Sequence, residues 1–238
     1  MSDHKDLIAD PRVYVALDLP SIEDARAMVK TLGNSVISYK IGLQLLPLGG
    51  AEFGRELAEM GKNVFLDFKL HDIDATVEKA TRSIAAIGAD LLTVHARPDV
   101  MKAAVKGKGD NLKVLGVTVL TSLDQQALND IGYTMSPEEL VIRRVGQAIE
   151  AGVDGIVSSA LEAKTIRAKL GQLGASNDFL VVTPGIRMAG DHVGDQKRIA
   201  TPYKALNDGA SHIVVGRPIT QADDPKVAAL KIIENIKG

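Results

Sequence analysis

The run Asp67-Phe68-Lys69-Leu70-His71-Asp72 sets two carboxylates and an ammonium close together at the end of an apolar stretch. On an extended strand side chains alternate between faces, so Asp67 and Lys69 are expected to point the same way, with Asp72 following after a turn. Carboxylates beside a lysine keep it protonated and orient it. Such a lysine, in a site poor in water, can stabilise a developing carbanion and then give it a proton. A structural salt bridge at a strand end is the plainer alternative, and these residues alone leave it open. A second group pairs glycine with arginine: Thr183-Pro184-Gly185-Ile186-Arg187 and Val215-Gly216-Arg217-Pro218. Glycine lets backbone N–H groups approach an anion, and arginine adds forked hydrogen bonds, which together suit a phosphate. The alternative there is a turn with a solvated arginine. Asp18, Lys40, His95 and Thr121 also stand at or just past the ends of apolar runs, where an unpaired buried charge would be costly.

The histidines and serines carry less. Asp67, His71 and His95 could in principle ligate a metal, but a supporting hydrogen bond from His95 is the preferred reading. His4, His192 and His212 read as incidental. Ser158 and Ser159 lack an elbow motif and an evident histidine partner, so neither is read as a nucleophile.

These side chains need elements to hold them, and the chain supplies an alternation. Short β-branched runs at 13–17, 38–41, 64–68, 91–95, 114–118, 155–157, 180–183 and 213–215 are each followed by a longer segment with helical spacing. Ser21 is placed to cap the first helix, with Glu23 and Asp24 in its opening turn. Pro47, Pro137 and Pro225 suit helix starts, and Gly33, Gly61, Gly88, Gly152, Gly171 and Gly209 suit helix ends. Strands alternating with helices imply parallel pairing through right-handed crossovers. Eight such units without a dividing linker favour one (β/α)8 barrel spanning 1–238. An open doubly wound sheet is the runner-up, but Asp18-Leu19-Pro20-Ser21 stands where its glycine fingerprint would be. In a barrel the charged groups above would gather at the C-terminal ends of the strands.

Composition narrows the function. The chain has 238 residues, 45% hydrophobic and 24% charged, with 3% aromatics and no tryptophan, so aliphatic layers are expected in the core. A net charge of −2 without a long basic run argues against nucleic-acid binding. With no cysteine, no disulfide, thiolate nucleophile or zinc–thiolate site can form. Residues 1–11 are polar and lack the apolar centre of a signal peptide, and no apolar run approaches the ~20 residues of a membrane span. A cytoplasmic protein without membrane contact is expected.

The segment Asp67-Phe-Lys-Leu-His-Asp-Ile-Asp-Ala-Thr76 resembles the signature of the orotidine 5′-phosphate decarboxylases, in their compact bacterial form. The resemblance extends along essentially the whole chain, through Val-Ala-Leu-Asp18, Tyr-Lys40-Ile-Gly, Val-Thr-Val-Leu-Thr121-Ser, Thr-Pro-Gly-Ile-Arg187, Gly-Asp-Gln196 and Val-Val-Gly216-Arg217-Pro. It implies conversion of orotidine 5′-monophosphate to UMP and CO2, the last step of de novo UMP synthesis, without metal or cofactor. By the same resemblance Asp18 and Lys40 would hold the ribose hydroxyls, and Asp67, Lys69 and Asp72 would form the catalytic array. Lys69 would protonate C6 as CO2 leaves. Asp72, with Ile73 and Thr76, would reach into a neighbouring subunit's site, which implies a homodimer. Thr121 and Ser122 would lie along the pyrimidine, and Pro184 and Gly185 would shape the loop after the seventh strand. Arg187, Gln196, Gly216 and Arg217 would hold the 5′-phosphate. Residues 188–197, rich in glycine and polar side chains, would form a lid closed by phosphate binding.

One departure stands out: Asp74-Ala75 replaces the family's usual Pro-Asn. The helix start loses proline's preorganisation, although Asp74 complements its positive end. The nearest rival is the related barrel group of 3-keto-L-gulonate 6-phosphate decarboxylase and hexulose-phosphate synthase. It shares a similar motif and phosphate site but uses Mg2+ and needs a further acidic ligand. A silent barrel serving as a scaffold would have lost charged site residues, and a sugar-phosphate isomerase or epimerase would need a carboxylate base near a substrate C–H.

Overall fold

The short apolar runs become strands β1 (Val13–Ala16), β2 (Ser38–Gly42), β3 (Asn63–Leu70), β4 (Leu91–His95), β5 (Lys113–Val117), β6 (Gly155–Val157), β7 (Leu180–Thr183) and β8 (His212–Val215). Each pairs in parallel with the next, and β8 returns to β1, closing a (β/α)8 barrel. The computed structural model describes residues 9–188 and 199–238. Strand bounds fall within two residues of those expected from the sequence, and the β8–β1 closure excludes the open doubly wound sheet. Parallel strands are covered on both faces, which is why each reads as a near-continuous apolar run.

Alternation along the strands builds two layers. Val13, Val15, Tyr39, Ile41, Val64 and Leu66 face outward and pack in one buried cluster. Tyr14, Ala16, Phe65, Leu91, Leu115, Val182 and Val214 fill the barrel interior. The expected aliphatic interior is therefore only partly right, because Tyr14 and Phe65 meet there edge-to-face at 5.7 Å between centroids.

Helices α1 (Ile22–Leu32), α2 (Gly50–Glu59), α3 (Asp74–Ala85), α4 (Pro98–Gly107), α5 (Gln125–Asp130), α6 (Pro137–Ala151), α7 (Ala163–Leu170), α8 (Pro202–Asn207), α9 (Arg217–Thr220) and α10 (Pro225–Asn235) link or follow the strands. Ser21 caps α1 by accepting the Asp24 N–H, and Ser136 forms a reciprocal capping box with Glu139. Pro47 does not open a long helix: it lies in a single 3-10 turn, and α2 begins at Gly50. The short helices α5 and α9 escaped the sequence reading, being too brief to show a period. Among the described residues no helix is long and apolar enough to cross a membrane.

A repeated device fixes register on the N-terminal face. Asp90 donates its N–H to Val64 O and accepts the Val64 N–H on its carboxylate at 2.6 Å. Asp154 treats Val114 in the same way, and Ser211 treats Val181 in the same way through its hydroxyl. Each clamp follows a positive-φ glycine two residues earlier, Gly88, Gly152 or Gly209, and joins two neighbouring strands at their starts.

Candidate active site

The charged residues converge at the opposite, C-terminal face. Lys40, buried on β2, reaches Asp18 just past β1 at 3.2 Å and Asp67 on β3 at 3.5 Å. Lys69 Nζ stands 2.9 Å from the same Asp67 Oδ2. The result is a line of alternating charge, Asp18, Lys40, Asp67, Lys69, across three adjacent strand ends. Burial alone would raise the Asp67 carboxyl. The charges of Lys40 and Lys69, with hydrogen bonds from Lys69 and Thr93, outweigh that and hold it below the ordinary carboxylate range. Asp67 is therefore an anion and its two lysine neighbours meet a permanent negative charge.

The period-two argument for Asp67 and Lys69 needs a correction. Lys69 has φ +49, the left-handed region, and the β3–β4 register shifts between Leu66 and Leu70. The two side chains meet through a bulge and not through simple alternation. The turned backbone also leads residues 71–76 out of the barrel mouth, where all six are exposed. Among the described residues Lys69 has an ion pair with Asp67 and none with Asp72 of its own chain. The Asp72 carboxylate accepts the Ile73 N–H at 2.7 Å at the entry to α3. The expected pair of carboxylates flanking one lysine is, within one chain, a single carboxylate between two lysines.

Two cavities open beside the charged line. The first, of about 350 Å³, is walled by Asp18, Lys40, Asp67 and Lys69 on one side and by Thr121, Ser122, Val157 and Ser158 on the other. The second, of about 550 Å³, has Pro184, Gly185, Arg187, Gly216 and Arg217 in its lining, together with Gln44, Thr220 and Gln221. They share Asp18, Pro184 and Val214 and so form one continuous cleft. Gly185 has φ +79 and turns the chain after β7, and an isolated parallel bridge joins Ile186 to Ala200. Arg187 is buried at 7% exposure and donates to Ile186 O at 2.7 Å. Arg217 is the first residue of α9. Gln196 and most of the expected lid, 189–197, lie outside the described residues.

The remaining candidates separate from the cleft. Asp72 and Ile73 line an open hollow with His71, Asp74, Arg97 and Asp99, and Thr76, exposed in the first turn of α3, lies beside them in sequence. The His71 and His95 rings lie 4.7 Å apart, tilted by 42°, and Arg97 meets His71 Nε2. Burial, then the charges of His71, Arg144 and Lys69, push His95 below the ordinary imidazole range. Among the described residues no group of three His, Asp or Glu is arranged to hold a metal ion. Ser158 hydrogen-bonds Glu162, which also accepts the Ser159 N–H. Arg144 holds the segment bearing Thr121 and Ser122 by contacts to Thr118 O and Tyr133 Oη.

Sequence reasoning missed three contributors. Gly42, opposite Asp67 in the β2–β3 ladder, leaves space for the Asp18–Lys40 pair. Thr93, fully buried on β4, hydrogen-bonds Asp67 and the Lys69 backbone. Arg144 acts from α6. Only Thr93 left a signal, as a hydroxyl on the same strand face as His95 in an otherwise apolar run.

Residues 11–232 match the profile of the Orotidine 5'-phosphate decarboxylase / HUMPS family. The chain belongs to this family. Curated relatives named orotidine 5'-phosphate decarboxylase include one from Caulobacter sp. (strain K31), 56% identical over 97% of this chain and 99% of the relative. Another, from Caulobacter vibrioides (strain NA1000 / CB15N), is 53% identical over 98% of this chain and all of the relative. The crystal structure of the orotidine 5'-phosphate decarboxylase from Lactobacillus acidophilus superposes with a TM-score of 0.82 at 34% identity. That superposition covers 96% of this chain and the whole of the other. Family membership and fold thus agree with the resemblance read from the motifs.

Proposed function

We propose that this chain is an orotidine 5′-phosphate decarboxylase that releases CO2 from orotidine 5′-monophosphate and yields UMP, with no metal or cofactor. The observation that carries the reading is the alternating line Asp18, Lys40, Asp67, Lys69 facing a cleft whose far end holds two glycine–arginine loops. The cleft has a charged, partly apolar chamber for a pyrimidine and an arginine-lined end for a phosphate. The ribose hydroxyls would fall between them, against Asp18 and Lys40.

The chemistry follows from where charge develops. The C6–carboxylate bond breaks, its electron pair stays on C6 and neutral CO2 departs. The Lys69 ammonium stands beside that carbon, stabilises the pair and transfers its proton to it. UMP forms and the resulting neutral amine regains a proton from water. In a cleft that excludes water such an ion is worth far more than in bulk solvent. Asp67 fixes the lysine through a 2.9 Å ion pair and repels the substrate carboxylate, an interaction that vanishes as CO2 forms. Arg187, Gly216 and Arg217, with Gln196, would bind the 5′-phosphate remote from C6, and that binding energy can hold the carboxylate against Asp67. Thr121 and Ser122 would contact the pyrimidine edge.

The working unit in this reading is a homodimer in which Asp72, Ile73 and Thr76 enter the partner's site. Its support is the 71% exposure of Ile73 and the position of Asp72 away from its own Lys69. The Mg2+-dependent sugar-phosphate alternative is not favoured, because Lys40 sets an ammonium between Asp18 and Asp67 and the named relatives are orotidine 5'-phosphate decarboxylases.

The test is the loss of near-UV absorbance of orotidine 5′-monophosphate on adding purified protein with excess EDTA. Rapid decay to UMP is expected. No decay by folded protein would overturn the reading, and activity restored only by Mg2+ would overturn its metal independence.

A further inference from the structure

Among the described residues Thr93 is the one hydroxyl that touches both halves of the β3 bulge. Leu66 and Leu70 on β3 pair with Leu92 and Val94 on β4, so four steps on one strand face two on the other. Residues 67–69 bulge opposite Thr93, outside the regular β3–β4 register. Thr93 Oγ1 accepts that N–H at 3.0 Å and donates its own proton to Asp67 Oδ1 at 2.8 Å. The direction is fixed, since a backbone N–H only donates and an ionised carboxylate only accepts. Thr93 is completely buried, so water is no substitute for it. A non-glycine residue at φ +49 is held only where its surroundings impose that conformation.

We infer that Thr93 is a positioning residue for decarboxylation, setting the Asp67 carboxylate and the Lys69 backbone through one hydroxyl. The inference rests on the decarboxylase reading for its kinetic consequence but not for its structural one. Lys69 projects its ammonium from a backbone that the Thr93 hydroxyl pins, and the carboxylate that receives the ammonium on Oδ2 is anchored by the same hydroxyl on Oδ1. Removing the hydroxyl loosens donor and orienting anion together.

Thr93→Val keeps the shape and deletes both hydrogen bonds, while Thr93→Ser keeps the hydroxyl. With Thr93→Val, kcat is expected to fall on the order of ten- to a hundredfold, the range set by losing a hydrogen bond to a charged group and slightly misplacing the reacting atoms. KM is expected to change little, because the phosphate end is untouched. The acid limb of the pH–rate profile is expected to move to higher pH as Asp67 loses a donor. Thr93→Ser is expected to restore kcat to within a few-fold and return the limb. A folded Thr93→Val protein with unchanged kcat and pH profile would overturn the inference, as would Thr93→Ser failing to improve on it. Failure of the unsubstituted protein to consume orotidine 5′-monophosphate would instead overturn the decarboxylase reading. A crystal structure of Thr93→Val then decides the structural claim by itself: relaxation of Lys69 φ or rotation of Asp67 supports it, and an unchanged bulge overturns it.

Discussion

A methyl group on Gly42 would stand 2.8 Å from Asp18 Oδ1 and 2.9 Å from Lys40 Nζ. Both atoms are the free ends of side chains, so Gly42→Ala is expected to displace the charges and spare the fold. kcat/KM for orotidine 5′-monophosphate is expected to fall on the order of tenfold or more, as misplaced reacting groups generally cost, with the melting temperature within a few degrees. Steady-state kinetics beside a thermal melt checks this, and an unchanged kcat/KM would remove Gly42 from the site's geometry. Glycine here gives no local sign of its role, since a strand-ending glycine in sequence suggests a turn. Asp67 and Lys69 were legible because their types are costly at the end of an apolar run. Thr93 showed only as a hydroxyl on the His95 face of β4, and the register of two strands is what reveals which groups that hydroxyl touches.

Elements were legible where period and punctuation are strong. The strands, the Ser21 cap and the prolines opening α6 and α10 follow from local chemistry. The β3 bulge did not, because it is a property of a strand pair: through it Asp67 and Lys69 meet, while Asp72 is carried to the exposed loop beyond. The N-terminal face holds the other element-scale surprise. His212, which read as incidental, opens β8 inside the barrel with its ring 5.8 Å from Tyr14. Its Nδ1 finds no hydrogen-bond partner among the described residues. Burial, then Lys113 and Arg12, lower its pKa from 6.5 to about 4 against a smaller opposing effect of Asp10. Between those values the unfolded chain binds the extra proton and the folded chain does not, so stability falls as pH drops from about 6.5 towards 4 and is level above that window. The expected loss is roughly 2–3 kcal/mol. Asp67, held below 3.8, adds its own loss only at lower pH. Denaturant melts across pH 4–7 should show this slope, to which His95, also held below 6.5, adds in the same window, and His212→Leu should reduce it. An equal slope in that variant would assign the acid sensitivity elsewhere.

At the scale of the whole molecule, one chain supplies the cleft and leaves the loop after β3 pointing away from it. Asp72 and Ile73 line an open hollow, and among the described residues Asp72 forms no ion pair with its own Lys69, yet their segment continues directly from Lys69. A second copy joined about a twofold axis would exchange these loops, because a symmetric interface gives each subunit what it takes from the other. The motif's resemblance implies this arrangement and residue chemistry does not, since no spacing rule says that a loop serves another chain. Mixing separates it from a local role for Asp72. Lys69→Ala and Asp72→Asn homodimers are each expected to lose nearly all turnover, every site lacking one group. A hybrid dimer has one site lacking both groups and one lacking neither. Random exchange of equal amounts makes half the dimers hybrid, so recovery should approach about a quarter of the unsubstituted activity. If Asp72 instead served its own chain, every site in the hybrid would still lack one group. Activity would then stay at the level of the single variants however completely the subunits exchange.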